Sequence, residues 1–150
     1  MIKWKGIVLH CSDSSFGTKE LIDEWHINGN GWSECGYSFV ICNGFITKTN
    51  FDPDFDGKIQ KGRSLNKLGA HCIGKNDHIG ICLIGLNQFT IKQLDSLIAL
   101  LLQLTDDYSI PISKIHAHNE FSNKTCPNFD VELIKKMMRK GMCLEHPDFK

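Results

Sequence analysis

The sequence predicts an α/β fold in which a central mixed β-sheet is flanked by helices. Short apolar segments, most clearly at 5–11 and 79–84, are rich in branched residues and too short for helices, as is typical of buried strands. Segments with apolar residues at helical spacing lie between and after them, and such alternation along a chain is typical of layered α/β proteins. The length of 150 residues fits a single domain over 1–150.

The first half of the chain is predicted to add a helix and a hairpin to the opening strand. Apolar spacing indicates a helix over 18–28, with Gly29 as its expected stop. A second strand covers 37–42. The Asn43–Gly44 pair is the strongest hairpin signal in the chain, and it predicts a tight turn into a partner strand at 45–49.

The middle of the chain is predicted to hold turns and then the central strand. Residues 50–56 are rich in turn-forming types, and Asp56–Gly57 predicts a further tight turn. The run at 79–84 is apolar almost throughout, which is typical of a strand that is covered on both faces. We therefore expect 79–84 at the centre of the sheet.

The last third of the chain is predicted to contain two helices and a short strand. Thr90 and Gln93 match a capping box, and the apolar stripe that follows predicts a helix over 91–104. The remaining predicted elements are a strand at 113–118, a helix near 130–140 and a loose tail at 142–150.

Composition and charge argue against several classes of partner. Seventeen basic side chains balance seventeen acidic ones, so neither nucleic acid nor an anionic membrane surface is predicted as a partner. No run has the roughly 18 to 20 apolar residues of a membrane span. The N-terminus lacks the features of a signal peptide, so we expect cytoplasmic synthesis. Seven scattered cysteines, an odd count, are expected to be reduced thiols.

Two histidines and one cysteine are candidate metal ligands. His10 and His118 each end a predicted strand, and Cys126 follows His118 by eight residues. Two imidazoles and one thiolate would leave one tetrahedral position open for water, which is typical of catalytic zinc. A lone histidine or cysteine is more often structural, and His116 competes with His118 because alternate strand residues share a face. Spacing alone therefore leaves the metal site open.

Five short stretches, in a fixed order, resemble a known family. They lie at 8–12, 36–41, 62–71, 79–85 and 118–127. Together they resemble the type 2 N-acetylmuramoyl-L-alanine amidases, above all the phage lysozyme-type amidases, which are kin to the peptidoglycan recognition proteins. The resemblance runs from about Gly6 to Phe129 and implies that family's sheet-and-helix fold. It also implies zinc-dependent hydrolysis of the amide bond between N-acetylmuramic acid and L-alanine in bacterial peptidoglycan.

The resemblance assigns roles to individual positions of this sequence. His10, His118 and Cys126 match the zinc ligands of the family. Tyr37 and Lys124 match its catalytic tyrosine and lysine, which support the reacting water and the charge of the tetrahedral intermediate. His71 matches a histidine that lines the substrate groove. The chain departs from the family pattern at 43–55, where an extra segment implies a longer or double hairpin.

Other functions and settings remain open at this stage. A peptidoglycan-binding module of the same fold would bind the wall without cutting it, as relatives that lack the cysteine ligand do. A thiol hydrolase would use a Cys–His pair, with Cys11 and a nearby histidine as the candidates. The leading expectation is a monomeric phage or prophage endolysin that accumulates in the host cytoplasm and reaches the cell wall after release by another factor. A bacterial remodelling amidase has the same sequence features.

Overall fold

The computed structural model describes residues 2–30 and 35–141, which form one mixed sheet of five strands flanked by three helices. The strands are β1 (Gly6–Cys11), β2 (Phe39–Phe45), β3 (Phe51–Lys61), β4 (His78–Leu83) and β5 (Ile115–Ala117). The helices are α1 (Lys19–Asn30), α2 (Ile91–Asp107) and α3 (Val131–Lys140). The predicted α/β class is confirmed. The tail predicted at 142–150 lies outside the described residues.

The sheet has the order β3-β2-β4-β1-β5, with a parallel centre. Strand β1 pairs in parallel with both β4 and β5, β2 pairs in parallel with β4, and only β3 is antiparallel to its neighbour. Every residue of β1 and β4 is buried, as the apolar run at 79–84 predicts. The parallel strands bring their carboxyl ends to one edge, so His10 and His118 meet there although far apart in sequence.

The two faces of the sheet are covered by layers of different size. Helices α2 and α3 pack on one face and form the main core with alternate residues of the central strands, among them Ile7, Leu9, Ile81, Leu83, Leu97, Leu101, Ile134 and Met137. A smaller cluster occupies the opposite face and contains Ile22, Cys35, Val40, Cys82 and Ile84, with Tyr37 packed against it. His10 is in register with Cys82 and therefore faces the smaller layer.

The predicted hairpin turn at Asn43–Gly44 is wrong. Both residues lie inside β2, and the chain turns at 46–50 instead. The Asn43 amide donates to the Ser15 carbonyl at 3.0 Å, while its Oδ1 accepts from the Phe45 N–H at 3.0 Å. The pairing with β3 shifts register on both sides of Asn43. This asparagine therefore holds an irregular strand to a neighbouring loop, a role that its local sequence does not distinguish from a turn.

The predictions of a partner strand at 45–49 and of a turn at Asp56–Gly57 are also wrong. Strand β3 begins at Phe51 and runs through both residues of the predicted turn. Gly57 has a φ of +81°, and a Cβ added there would lie 2.8 Å from the Lys92 carbonyl oxygen of α2. Glycine is therefore needed because the helix approaches the strand closely. The segment 43–55 belongs to one long β2–β3 hairpin.

The predicted helices are confirmed with shifted ends, and one strand is shorter than expected. Helix α1 continues through Gly29 to Asn30, and α2 extends to Asp107. Strand β5 has three residues because 3-10 turns at Ile112–Lys114 and His118–Glu120 flank it. Within the described part of the chain, no helix combines the length and the apolar composition that a membrane crossing requires.

Gln93 ties α2 to the carboxyl edge of the sheet. Its side chain is fully buried, and its Nε2 donates to the carbonyl oxygens of Ile41 at 3.0 Å and Ile84 at 2.8 Å. Its Oε1 accepts from the Thr90 N–H at 3.0 Å, which completes the predicted capping box. One amide thus bonds to backbone groups within β2, directly after β4 and at the start of α2.

We expect Gln93→Leu to lower the free energy of unfolding by about 2–4 kcal/mol, because buried polar groups lose their partners while the side-chain volume changes little. Urea denaturation with a metal chelator present measures this without a contribution from metal binding. Gln103→Leu, on an exposed turn of the same helix, is the control and should shift the value by no more than about 0.5 kcal/mol. Equal effects of the two substitutions would contradict the assignment.

Candidate metal centre

His10 lies near the carboxyl end of β1 and is the most buried residue of the candidate site. Its side chain is 1% exposed. The imidazole lies among three other rings, with centroid distances of 4.9 Å to Tyr37, 4.9 Å to His71 and 4.4 Å to His118. A polar ring at this depth requires partners for both nitrogens, because an unsatisfied buried polar group destabilises the folded state.

His118 and Cys126 are brought beside His10 by a closed loop. His118 follows β5 directly. The Asn119 N–H donates to the Cys126 carbonyl at 2.9 Å, so the end of the loop lies next to its beginning. The Cys11 N–H then donates to the Cys126 Sγ at 3.0 Å, which fixes the sulfur against the end of β1. The eight-residue spacing noted in the sequence thus corresponds to one loop closure.

His10, His118 and Cys126 form a candidate site for a divalent metal ion. One donor atom from each lies within 4.8 Å of the others, and among residues 2–30 and 35–141 no other group of His, Cys and acidic residues meets that condition. The His118 Nδ1 is buried and has no hydrogen-bond partner among the described residues. A bare imidazole nitrogen of this kind fits a metal ligand. His116 is excluded from the group, since its Nδ1 lies 3.0 Å from Glu120 Oε1.

The surroundings keep both candidate imidazoles neutral. Burial is the main cause that holds the pKa of His10 well below its usual value, and the charges of His71, His118 and Lys124 act in the same direction. Burial also lowers the pKa of His118, again with help from Lys124. A neutral imidazole has a free lone pair and can bind a metal ion, whereas an imidazolium cannot.

Cys11 and Cys126 lie side by side at the floor of the site. The side chain of Cys126 lowers the pKa of the Cys11 thiol, against the opposing effect of burial. The Cys11 side chain and burial raise the pKa of the Cys126 thiol. A bound divalent cation would instead lower the pKa of Cys126, because a thiol that coordinates a metal is deprotonated outright.

A cleft of about 490 Å³ opens over the three candidate ligands. Tyr37 and Lys124 both line it, so all five residues that the family resemblance assigns to metal binding and catalysis border one cavity. Lys124 is exposed, and its ammonium lies close enough to lower the pKa of both His10 and His118. The cleft therefore combines neutral nitrogen donors, a thiol and one positive charge.

Tyr37 packs between the cleft and the smaller core layer. Burial raises the pKa of its phenol well above the usual value. Nearby thiols, Cys82 above all, add a smaller contribution in the same direction. The phenol therefore stays protonated at neutral pH and can donate a hydrogen bond.

The structure places His71 behind His10, away from the residues that line the cleft. Its Nδ1 lies 2.9 Å from the His10 Nε2, and its Nε2 lies 2.8 Å from the His78 carbonyl oxygen. Burial lowers the pKa of His71 to about 4, although the hydrogen bond to His78 acts in the opposite direction. Both ring nitrogens are thus engaged within the protein. Contact with substrate stays a prediction for this residue.

Asn128 is a cleft residue that the sequence analysis missed. It has a φ of +64°, and its amide donates to the Leu86 carbonyl at 2.6 Å and to the Cys11 Sγ at 3.7 Å. The amide therefore links the cysteine loop to the segment after β4. An asparagine two residues beyond Cys126 indicates a turn at most, because the tolerance of this residue for positive φ is common in loops.

Comparison with known proteins gives concordant matches. The family model described as N-acetylmuramoyl-L-alanine amidase matches residues 2–129. The endolysin of Escherichia phage T7 is 32% identical over 139 residues, which cover 84% of this chain and 82% of that protein. The peptidoglycan-recognition protein SC2 of Drosophila melanogaster is 26% identical over 129 residues, covering 81% of this chain and 64% of its own length.

Solved structures give the same result. The N-acetylmuramoyl-L-alanine amidase LysC from Clostridium intestinale superposes with a TM-score of 0.77 at 32% sequence identity. The superposition covers 92% of this chain and 87% of the amidase.

We expect the metal-free protein to lose stability as the pH falls from about 6.5 to 4. The unfolded chain takes up a proton at His71 near pH 6.5, whereas the folded chain does so only near its pKa of about 4. Stability contributed by the neutral ring is therefore complete above pH 6.5 and is lost across this window, by about 2–3 kcal/mol. Urea denaturation with a chelator, at several pH values, measures the decline. His71→Asn should show a smaller decline, and equal slopes would contradict the prediction.

Proposed function

Because this chain belongs to the N-acetylmuramoyl-L-alanine amidase family and is a peptidoglycan-cleaving amidase, we propose that it works with a single zinc ion held by His10, His118 and Cys126. The observation that carries the proposal is the convergence of three donor atoms within 4.8 Å, one of which belongs to a residue with a buried and unpartnered ring nitrogen. Such a nitrogen lacks any stabilising contact unless a cation or another ligand occupies the site.

The donor set favours zinc over the other common divalent ions. Magnesium and calcium prefer oxygen ligands, whereas thiolate and imidazole together suit zinc. Three protein ligands leave a fourth position open, as in catalytic rather than structural zinc sites. The cleft above the ligands supplies the space for a substrate group at that position.

The proposed reaction is hydrolysis of the amide that joins the lactyl group of N-acetylmuramic acid to the amino group of L-alanine. Water adds to the carbonyl carbon, the carbon–nitrogen bond breaks, and the products are a carboxylate and a free amine that has gained a proton. When bound, zinc supplies Lewis acidity toward the carbonyl and lowers the pKa of water to near 7.

Tyr37 and Lys124 are proposed to stabilise the negative charge that develops on the carbonyl oxygen. The phenol of Tyr37 remains protonated and is therefore a hydrogen-bond donor throughout the reaction. The ammonium of Lys124 borders the same cleft and adds a positive charge. Donors that are held in place before the reaction stabilise the transition state more effectively than water, which must reorient.

The setting in which the enzyme acts is also a proposal. We infer a phage or prophage endolysin, which is made in the host cytoplasm and reaches the wall after release by another factor. Similarity to endolysins of the Escherichia phage T7 and of Enterobacteria phage T3 supports this inference.

We further propose a monomer, because all five residues of the proposed machinery come from one chain. Light scattering of the purified protein tests the monomer.

We expect the purified protein to contain one zinc ion per chain and to release free amino groups from purified cell wall. Chelation should abolish the release, and added zinc should restore it. Cys126→Ala should lose the ion and lower the activity at least about 100-fold, because it removes one of three ligands. Cys42→Ala is the control, since that thiol is buried in β2 and does not line the cleft.

Other results would support the alternative functions. Binding to the wall without release of amino groups indicates a binding module. Activity that survives chelation but not alkylation with iodoacetamide indicates a thiol hydrolase. The Cys11 Sγ accepts from the Asn128 amide at 3.7 Å, and among the described residues it forms no hydrogen bond with a histidine, which gives the latter mechanism no geometric support.

We expect Lys124→Gln to lower kcat about 100-fold to 1000-fold with little change in KM, because the ammonium acts on charge that develops only in the transition state. Lys124→Arg should recover part of the rate, since it keeps the positive charge. Lys48→Gln, in an exposed turn of the β2–β3 hairpin, is the matched control. A rise in KM at constant kcat would show instead that Lys124 binds the ground-state substrate.

A further inference from the structure

We propose that His71 is a positioning residue that holds His10 in the tautomer whose Nδ1 is free to bind a metal ion. The inference deepens the zinc site proposed above and rests on it. It concerns a residue outside the cleft, which acts on the reaction only through His10.

A backbone carbonyl group determines which nitrogen of His71 has the proton. Its Nε2 lies 2.8 Å from the backbone carbonyl oxygen of His78. A carbonyl oxygen accepts and never donates, so the hydrogen of this bond must be on the His71 Nε2. In the neutral ring, the other nitrogen, Nδ1, is then a bare acceptor.

The His71 ring in turn determines which nitrogen of His10 has the proton. The His71 Nδ1 lies 2.9 Å from the His10 Nε2, and an acceptor at this distance requires a donor opposite it. The His10 Nε2 therefore has the hydrogen, and the His10 Nδ1 is the nitrogen with a free lone pair. The direction of both hydrogen bonds follows from a single backbone carbonyl group at the start of β4.

The surrounding chain holds the His71 ring rigidly in this position. The His71 ring lies against two glycines, and a Cβ added at either Gly69 or Gly80 would lie 2.5 Å from its Cδ2. The loop itself is fastened by Asn76, whose Oδ1 accepts from the His71 N–H at 3.0 Å and whose carbonyl accepts from the Gly69 N–H at 2.9 Å. The sequence thus provides a fitted niche for this one ring.

The expected consequence of losing His71 is a weaker metal site in a folded protein. His10 is 1% exposed, so water does not readily replace the lost acceptor. Its ring would then be free to change tautomer or orientation, and both changes misdirect the Nδ1 lone pair. Partners of this kind raise the basicity of a histidine ligand, and their loss typically lowers metal affinity by about 10-fold to 100-fold.

The direct test is nitrogen NMR of the metal-free, isotope-labelled wild-type protein. We expect a one-bond coupling that places a proton on the His10 Nε2, together with a coupling across the hydrogen bond to the His71 Nδ1. A proton on the His71 Nδ1 or on the His10 Nδ1 would overturn the proposal. This measurement needs neither zinc nor activity, so it remains decisive if the zinc site itself is disproved.

The second test compares His71→Asn with His71→Leu, two side chains of similar size. The asparagine Oδ1 can take the position of the His71 Nδ1 as acceptor, whereas leucine has none. Competition with a chromogenic chelator should show an affinity for zinc about 10-fold to 100-fold lower in His71→Leu. His71→Asn should recover most of that loss.

The control is His116→Ala, whose half-buried ring pairs with Glu120 and makes no contact with His10. Its zinc affinity should match that of the wild type. Equal losses in His71→Asn and His71→Leu would assign a merely structural role to His71, and unchanged affinity in both would remove the role altogether. If the wild-type protein binds no zinc, the proposed function fails, while the NMR result still tests the hydrogen bond.

Discussion

The burial of His10 at the end of a central strand is the constraint on which the rest of the site depends. An imidazole that is 1% exposed has lost its contacts with water, and the protein must supply a partner for each nitrogen. His71 provides an acceptor on one side. The convergence of His118 and Cys126 on the other side leaves a space that fits a cation. Burial also keeps the ring neutral, which is the state that metal binding requires.

The two core layers that cover the sheet differ in size, and this difference explains why the site lies on the side of the smaller layer. Helices α2 and α3 provide the main core on one face, and that face carries most of the apolar burial. Only a small apolar cluster covers the opposite face, which leaves room there for His10, Tyr37 and the cleft. Function is thus concentrated on the side of the sheet that contributes less to the core. The parallel centre brings β1 and β5 to one edge, where loops can close over that side.

The loop between His118 and Cys126 shows how short-range closure completes a long-range site. Its ends are joined by the hydrogen bond from Asn119 to Cys126, and its sulfur is held by the Cys11 N–H. The same loop places Lys124 at the cleft. One segment of nine residues therefore delivers two candidate ligands and one charge to a ring that belongs to a strand more than a hundred residues earlier.

The amino-acid sequence by itself determined the α/β class, the buried central strands, the capped helix α2 and the family that the chain belongs to, because these depend on local periodicity and on ordered motifs. It also pointed to Asn43–Gly44 as a turn and to His71 as a groove residue. Only the tertiary structure placed Asn43 inside β2 and the His71 ring between two glycines behind His10. The physical reason is that an asparagine amide and an imidazole act through their hydrogen-bond partners. The partner of Asn43 is Ser15, and the partners of His71 are His10 and the His78 carbonyl. These groups become neighbours only when the chain has folded.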